Sequence, residues 1–286
     1  MIEIRNGNTS AVISETGAEI QSLVQNGTEF MWNGDPAFWS GRAPILFPIC
    51  GGLKDDAYFW NGEKYNLPKH GFTRHSIFSA EKLSESSAEF TLCSNAENKK
   101  SYPFDWNLKV RYTLSDGRLD IEYIVTNLSS GVIPFSIGAH EAYSCPAGIE
   151  EYDIIFEKEE TLDSYILDGN LLENNTVRIL DKGRVLPLKY YYFEVDALVF
   201  KYLKSNSAVL KNRVNGRAVR LDFKDFPYFL LWTAAGKEAP YICLEPWCGI
   251  PDSVDTNQDI LDKEGIIKLD AGESKSFLHT ITLNKE

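Results

Sequence analysis

Residues 108–128, LKVRYTLSDGRLDIEYIVTNL, carry the clearest fold signal in the chain. Apolar and polar residues alternate on both sides of the pair Asp116-Gly117. A period of two places successive side chains on opposite faces of a strand, and Asp-Gly favours a two-residue hairpin turn. The stretch therefore predicts two antiparallel strands, each with one buried face.

Similar strand-sized segments recur along the chain and are separated by Asn-Gly and Asp-Gly turns. Convincing amphipathic helices are scarce, and SETGAEIQSLV (14–24) is better explained as part of a hairpin because of its Gly, Ser and Thr content. No linker or internal repeat divides the chain, so we predict one domain over residues 1–286. The fold class is all-β, a large antiparallel β-sandwich. A propeller is the alternative, but its blades require a repeated motif. The main strand candidates are AVISETGAEIQSLV (11–24), AEFTLCS (88–94), YDIIFEK (152–158), ALVFKYL (197–203), AVRLDF (218–223) and FLHTITL (277–283).

Composition narrows the class of partner. The formal net charge is −12, which disfavours nucleic acid and anionic membrane surfaces, because both attract clustered Lys and Arg. A neutral small molecule is the better expectation. The N-terminal residues lack a signal-peptide pattern and the longest apolar runs are too short to span a bilayer, so we expect a soluble, cytoplasmic protein. Five cysteines without a CxxC pair favour reduced thiols.

Two of the four histidines are candidates for proton transfer. His70 lies in PKHGFTRH (68–75) and His140 in FSIGAHEAYSC (135–145). Glycine and other small residues next to an imidazole allow a backbone to approach a bound molecule closely. The alternative for each is an ordinary structural histidine.

Glu245 ends the apolar run YICLE, directly before Pro246 and Trp247. It is either a solvated strand end or a carboxylate held at a pocket. Arg42 lies in the apolar segment SGRAPILFPICGG (40–52), where a guanidinium needs a partner; an exposed loop position is the alternative. Some of the nearby aromatic residues could form an apolar floor under a sugar ring, although most aromatics in such a chain belong to the core. These aromatics are Phe47, Phe72, Tyr143, Trp232 and Trp247.

Common catalytic and metal-binding motifs are missing from the sequence. HxH, HExxH and DxDxDG do not occur, which leaves no zinc or calcium motif, and GxSxG and the phosphate-binding GxxxxGK[ST] are also absent. We therefore predict no metal ligands and no cofactor.

Four motifs in order, GRAPILFPICGG (41–52), KHGFTRH (69–75), IGAHEAY (137–143) and CLEPWCG (243–249), resemble the aldose 1-epimerase (galactose mutarotase) family, especially its LacX-like branch. The resemblance extends over nearly the whole chain. It implies a large β-sandwich, a galactose mutarotase-like supersandwich, with a sugar cleft on one sheet. It also implies an isomerase that interconverts the α and β anomers of a free hexose such as glucose or galactose without a cofactor.

The resemblance also implies individual roles. Glu245 would be the general base that takes the proton of the anomeric hydroxyl, and His140 the general acid that protonates the ring oxygen. The implied sugar-binding residues are Arg42, His70 and, on a shorter match in EVDALVF (194–200), Asp196. Among the aromatic candidates, we also predict that Trp247 binds the sugar.

One position departs from the family pattern. Glu141 stands where many members have proline after the catalytic histidine. Its carboxylate either raises the pKa of His140 or faces solvent.

Two other functions remain open on the same scaffold. A mutarotase for hexose phosphates needs a cationic subsite, for which Lys54, Lys69 and Arg74 are candidates. A carbohydrate-binding protein without catalysis would keep the sugar contacts but does not need the pair Glu245 and His140. The sequence leaves the oligomeric state open.

Overall fold

The structure, a computed structural model, describes residues 1–284 and consists mainly of antiparallel strands. Five short 3₁₀ helices lie between them: Lys54–Asp56, Thr73–His75, Asn98–Lys100, Ile149–Glu151 and Tyr190–Phe193. The strands are β1 (Ile2–Asn6), β2 (Thr9–Ile13), β3 (Ile20–Gln25), β4 (Thr28–Glu29), β5 (Ala57–Trp60), β6 (Glu63–Asn66), β7 (Ser79–Ser84), β8 (Ser87–Cys93), β9 (Trp106–Ser115), β10 (Arg118–Asn127), β11 (Ile133–Phe135), β12 (Glu141–Ser144), β13 (Tyr152–Asp168), β14 (Leu171–Pro187), β15 (Leu198–Lys201), β16 (Ser207–Asn212), β17 (Ala218–Asp222), β18 (Tyr228–Trp232), β19 (Tyr241–Trp247), β20 (Ile267–Leu269) and β21 (Ser274–Leu283).

Three sheets carry most of the architecture. The largest has nine strands in the order β14-β13-β16-β17-β21-β10-β9-β8-β7. Two four-stranded sheets, β1-β2-β3-β4 and β12-β19-β18-β15, complete the main layers, and β11-β20 and β5-β6 form small two-stranded sheets. A continuous nine-stranded sheet is unlike the separate blades of a propeller, which excludes that alternative.

The hairpin predicted at residues 108–128 is confirmed. Strands β9 and β10 pair in antiparallel register from Ser115 and Arg118 at the turn to Trp106 and Asn127 at the far end. Along both strands, buried residues alternate with half-buried ones. Residues 14–24 likewise contribute to an antiparallel pair, β2 with β3, rather than to a helix.

One apolar core joins the sheets. Leu108 and Ile121 of the nine-stranded sheet belong to the same buried cluster as Ile13 of the first four-stranded sheet and Leu244 of the second. The cluster therefore lies between the large sheet and the smaller ones, and the prediction of an all-β, antiparallel sandwich is confirmed. This continuous core supports our proposal that the chain is one domain.

A buried ion pair supports the loop that follows β19. The Lys263 ammonium donates to Asp252 Oδ1 at 2.8 Å and to the Ile250 carbonyl at 2.7 Å, and both side chains are almost completely buried. The Asp252 backbone N–H donates to the Gly52 carbonyl at 2.9 Å. Two loops distant in sequence, around Gly52 and around Pro251, are thereby held together, and Gly51 and Pro251 both line the cavity described below.

No helix formed by residues 1–284 combines the length and apolar character that a membrane-spanning segment needs.

The two faces of β10 provide a matched test of the sandwich. Ile121 is completely buried, whereas Ile124 lies on the opposite face and is half-buried. Ile121→Ala should lower the free energy of unfolding by about 2–5 kcal/mol because it leaves a cavity in the core. Ile124→Ala should cost about 1 kcal/mol or less. Urea unfolding measures both values, and equal losses would contradict the assignment of the buried face.

Candidate active site

Strand pairing brings His140 and Glu245 together. His140 directly precedes β12, Glu245 lies in β19, and the register pairs Glu141 with Leu244. In an antiparallel ladder the next positions, His140 and Glu245, lie opposite each other and project to the same face. His140 Nε2 and Glu245 Oε2 are 3.4 Å apart. Glu245 is only 1% exposed, so its interpretation as a solvated strand end is wrong.

Both side chains line a cavity of about 320 Å³. This is at the lower end of the range for small-molecule sites, a size that suits one sugar ring. Among residues 1–284, His140 Nδ1 and Glu245 Oε1 have no hydrogen-bond partner although both atoms are buried. Buried polar atoms are normally satisfied, so a ligand or water is expected to complete these bonds. The other lining residues are Trp39, Pro44, Gly51, Lys69, His70, Arg74, Leu167, Asn170, Asp196, Ala197, Val199, Leu230, Trp232, Trp247 and Pro251.

Burial changes the protonation of the central pair. It lowers the pKa of His140 to about 3 and raises the pKa of Glu245 well above its ordinary value, the latter with help from the negative charge of Asp196. A buried site thus favours a carboxylic acid at Glu245 and a neutral imidazole at His140. This neutral pair contains as many protons as a carboxylate–imidazolium pair. The two forms differ only in whether the shared proton lies on Glu245 or on His140. In either of these two forms the pair presents one donor and one acceptor.

His70 is held in a defined tautomer. The Gly51 backbone N–H donates to His70 Nδ1 at 3.1 Å, and the His70 backbone N–H donates to the Gly51 carbonyl at 2.9 Å. Burial, followed by the charge of His140, lowers the pKa of His70 well below its ordinary value, so the ring is neutral. Because Nδ1 accepts, the ring proton resides on Nε2. His70 consequently offers one N–H donor to a ligand.

Two glycines of the motifs are required by close contacts. A Cβ at Gly71, where φ is +70°, would lie 2.2 Å from the Phe47 carbonyl oxygen. A Cβ at Gly138 would lie 2.6 Å from Cδ1 of Trp247. Absence of a side chain at these positions lets the loops of His70 and His140 approach the cavity.

Three tryptophans form apolar walls. Trp39 and Trp232 flank His140, with ring centroids 5.2 and 5.6 Å from the imidazole, and Trp247 lies 5.4 Å from His70. The indole N–H of Trp247 donates to the Ala139 carbonyl at 3.0 Å, so this side chain offers a ligand its ring and not a donor. The sequence did not single out Trp39, which only its position just before the GRAP motif could have suggested. Of the other aromatic candidates, Phe47 and Tyr143 are core residues and Phe72 packs against the core.

Arg42 does not line the cavity. Its guanidinium donates to the Gln21 carbonyl, and its backbone N–H donates to Glu19 Oε1 at 2.9 Å. These bonds fasten its loop to Glu19 and to Gln21 of β3. The cavity instead contains Arg74, whose Nε is buried without a partner among the described residues. Arg74 belongs to the KHGFTRH motif, a signal that sequence reasoning used only for the phosphate alternative.

The remaining predicted binding residue, Asp196, also lines the cavity. Its backbone has a φ of +113°, a conformation that L residues rarely adopt and that is often associated with function. Lys69 Nζ lies 3.7 Å from Asp196 Oδ2. The site therefore presents a carboxylate next to a cation at one side of the cavity.

Glu141 neither faces solvent nor raises the pKa of His140. It is 2% exposed and projects between the sheets, because neighbouring residues of a strand point to opposite faces. There it shares a hydrogen bond of 2.7 Å with Nε2 of His279, which is 1% exposed. Relative to the cavity, this pair lies on the opposite side of β12.

Comparisons with known proteins agree with this site and fold. A family model described as Aldose 1-epimerase matches residues 1–282. The plasmid-encoded Protein LacX of Lactococcus lactis subsp. lactis is 33% identical over 296 aligned residues, which cover 99% of each chain.

Solved structures give the same result. A galactose mutarotase-like protein from Lactobacillus casei ATCC 334 is 33% identical with a TM-score of 0.95, and 99% of each chain is covered. A galactose mutarotase related enzyme from Lactobacillus acidophilus is 32% identical with a TM-score of 0.94, covering 99% of this chain and 96% of that one. With motifs, cavity and whole-chain similarity in agreement, the chain belongs to the aldose 1-epimerase family, whose members act as epimerases on sugars.

Proposed function

We propose that the protein is an aldose 1-epimerase that interconverts the α and β anomers of a free hexose such as glucose or galactose. The observation that carries this proposal is the 3.4 Å contact between His140 Nε2 and Glu245 Oε2 inside a sugar-sized cavity. Acid–base ring opening needs one group that accepts a proton and one that donates a proton at the same acetal. No redox change and no group transfer is involved.

In the proposed reaction the shared proton first passes from Glu245 to His140; Glu245 then takes the proton of the anomeric hydroxyl while His140 protonates the ring oxygen. The bond between C1 and the ring oxygen breaks, and C1 becomes an aldehyde. Rotation about the C1–C2 bond presents the other face of the aldehyde, and the reverse proton transfers close the ring. Ring opening converts a carboxylate and an imidazolium into a neutral pair. Because burial favours the neutral pair, the site stabilises the protonation state of the open-chain intermediate.

The surrounding residues fit the remaining needs of a sugar. The His70 Nε2–H and the Arg74 guanidinium can donate to hydroxyls, and Asp196 can accept from them. We assign to Arg74 the part that the resemblance implies for Arg42, since Arg74 is the arginine that lines the cavity. The ring of Trp247 can support the C–H face of the sugar.

A hexose phosphate is the second candidate, because Lys69 and Arg74 both line the cavity. Lys54 does not contribute, since its ammonium donates to the Val254 carbonyl at 2.8 Å. Asp196 balances the charge of Lys69 at 3.7 Å, which leaves Arg74 as the single uncompensated cation of the lining. A free hexose is therefore the better substrate.

Replacement of the proposed base tests the mechanism. Glu245→Gln should lower kcat by about 10²–10⁴-fold, because an amide cannot accept the anomeric proton. Sugar binding should persist, since the amide keeps the shape of the carboxylate. Polarimetry of freshly dissolved α-glucose and α-galactose measures the rate, and saturation transfer between anomer signals in NMR measures turnover at equilibrium.

The matched control is Glu81→Gln, a change at an exposed position on β7 that should leave the rate unaltered. An active Glu245→Gln protein would refute its role as base. A parent protein that binds sugar without accelerating mutarotation would instead identify a carbohydrate-binding protein.

Two neighbouring charges should move the pH profile in opposite directions. Asp196 raises the pKa of Glu245 and Lys69 lowers it. Asp196→Asn should therefore shift the alkaline limb of kcat/KM, where the pair loses its shared proton, to lower pH, and Lys69→Met should shift it to higher pH. The profile is measured after subtraction of the uncatalysed rate. Shifts of the same sign would contradict the assignment of this limb to the central pair.

Substrate choice separates the two candidate reactions. We expect a higher kcat/KM for free hexose than for hexose 6-phosphate, with little dependence on salt. Arg74→Gln should reduce activity, whereas Lys54→Gln, a change of a cation outside the cavity, should not. A preference for the phosphate that declines steeply with ionic strength would establish the second candidate.

A further inference from the structure

A thiol lies next to the proposed catalytic pair. Cys243 precedes Glu245 by two residues in β19 and projects to the same face. It is completely buried and belongs to the same apolar cluster as Tyr241. Trp39 packs against this cluster. One ligand atom each from Cys243, His140 and Glu245 lies within 4.8 Å of the other two. Within residues 1–284, this is the one group of three or more His, Cys, Asp or Glu side chains with such spacing.

The spacing approaches that of a metal site. Zinc bonds of about 2.0–2.3 Å to nitrogen, oxygen and sulfur, in tetrahedral geometry, place neighbouring ligand atoms about 3.3–3.7 Å apart. His140 Nε2 and Glu245 Oε2 already have this separation, at 3.4 Å. The upper limit of 4.8 Å for the separations that involve the thiol exceeds this range by only about 1 Å.

Unpartnered atoms point to the same conclusion. Glu245 is 1% exposed and its Oε1 has no hydrogen-bond partner among the described residues. The buried carboxylate therefore has free coordination capacity where the thiol and imidazole converge. The cavity leaves room for a fourth ligand, a water molecule or a sugar hydroxyl.

We propose that Cys243, His140 and Glu245 form an inhibitory site for a thiophilic divalent cation such as Zn²⁺. A thiolate and an imidazole select Zn²⁺ over Mg²⁺ or Ca²⁺, which prefer oxygen ligands. On coordination two protons pass to solvent, one from the Cys243 thiol and the one that Glu245 and His140 share. The ion occupies the lone pairs of Glu245 and His140, so neither group can exchange a proton with a sugar. Because two of the three ligands, His140 and Glu245, are the proposed catalytic pair that lines the cavity, metal and sugar should compete.

Cobalt spectroscopy tests binding independently of catalysis. Co²⁺ added to chelator-treated protein should produce a thiolate-to-cobalt charge-transfer band together with the intense visible absorption of tetrahedral cobalt. The band should be lost in Cys243→Ala and Cys243→Ser and kept in Cys93→Ser, which changes the exposed cysteine. Excess galactose should displace it, and Zn²⁺ should replace Co²⁺. Absence of the band, or its persistence in both Cys243 variants, would overturn the site.

Kinetics then tests inhibition, a readout that rests on the proposed function. Zn²⁺ should inhibit mutarotation competitively with sugar, EDTA should reverse the effect, and Mg²⁺ should have none. Without metal, Cys243→Ala should be as active as the parent, and its sensitivity to Zn²⁺ should be at least about tenfold lower, since even a change next to a ligand costs 10–100-fold. Unchanged sensitivity in Cys243→Ala would refute the proposal. An inactive parent that still shows the cobalt band would refute the mutarotase function and leave the metal site intact.

Discussion

The antiparallel register between β12 and β19 is the constraint on which the site depends. It pairs Glu141 with Leu244 and so sets His140 opposite Glu245 on the cavity face. A slip of one residue would turn every side chain of β12 to the other face and separate the two groups. The core side of the same pair specifies this register, because Leu244 is completely buried and Glu141 reaches His279 between the sheets.

Burial gives this contact its chemical character. In water the carboxyl group would be ionised and the imidazole would titrate near neutrality. In the cavity, burial raises the pKa of Glu245 and lowers that of His140, so each group favours its uncharged form and the two share one proton.

The ion pair of Lys263 and Asp252 contributes indirectly to the site. It holds Asp252, whose backbone N–H donates to the Gly52 carbonyl, and the neighbouring Gly51 orients His70. Removal of one partner of such a buried pair leaves an uncompensated charge, so the position of the two loops that this hydrogen bond to Gly52 joins depends on both Lys263 and Asp252.

Much of the architecture was predictable because it is local. Alternation and Asp-Gly between residues 108 and 128 specify a hairpin without reference to the rest of the chain, and β9 and β10 form it. The order of strands in the nine-stranded sheet was not predictable. Strand β21 pairs with β10 and β17, so neighbours in space are far apart in sequence. Such pairings depend on how whole sheets pack, which local patterns do not encode.

Local sequence patterns were enough to specify the strand-rich fold, the motifs that carry His70, His140 and Glu245, and the family to which these motifs belong. Tertiary structure decided which side chains reach the cavity. Arg42 does not line the cavity, because its guanidinium donates to the Gln21 carbonyl, whereas Arg74 and Trp39 do line it. Tertiary structure also directed Glu141 into the core and placed Cys243 beside the central pair. The physical reason is that composition and periodicity indicate which residues can be buried. The direction in which a side chain points and the group that it contacts are set by long-range strand register and by the hydrogen bonds available at each position.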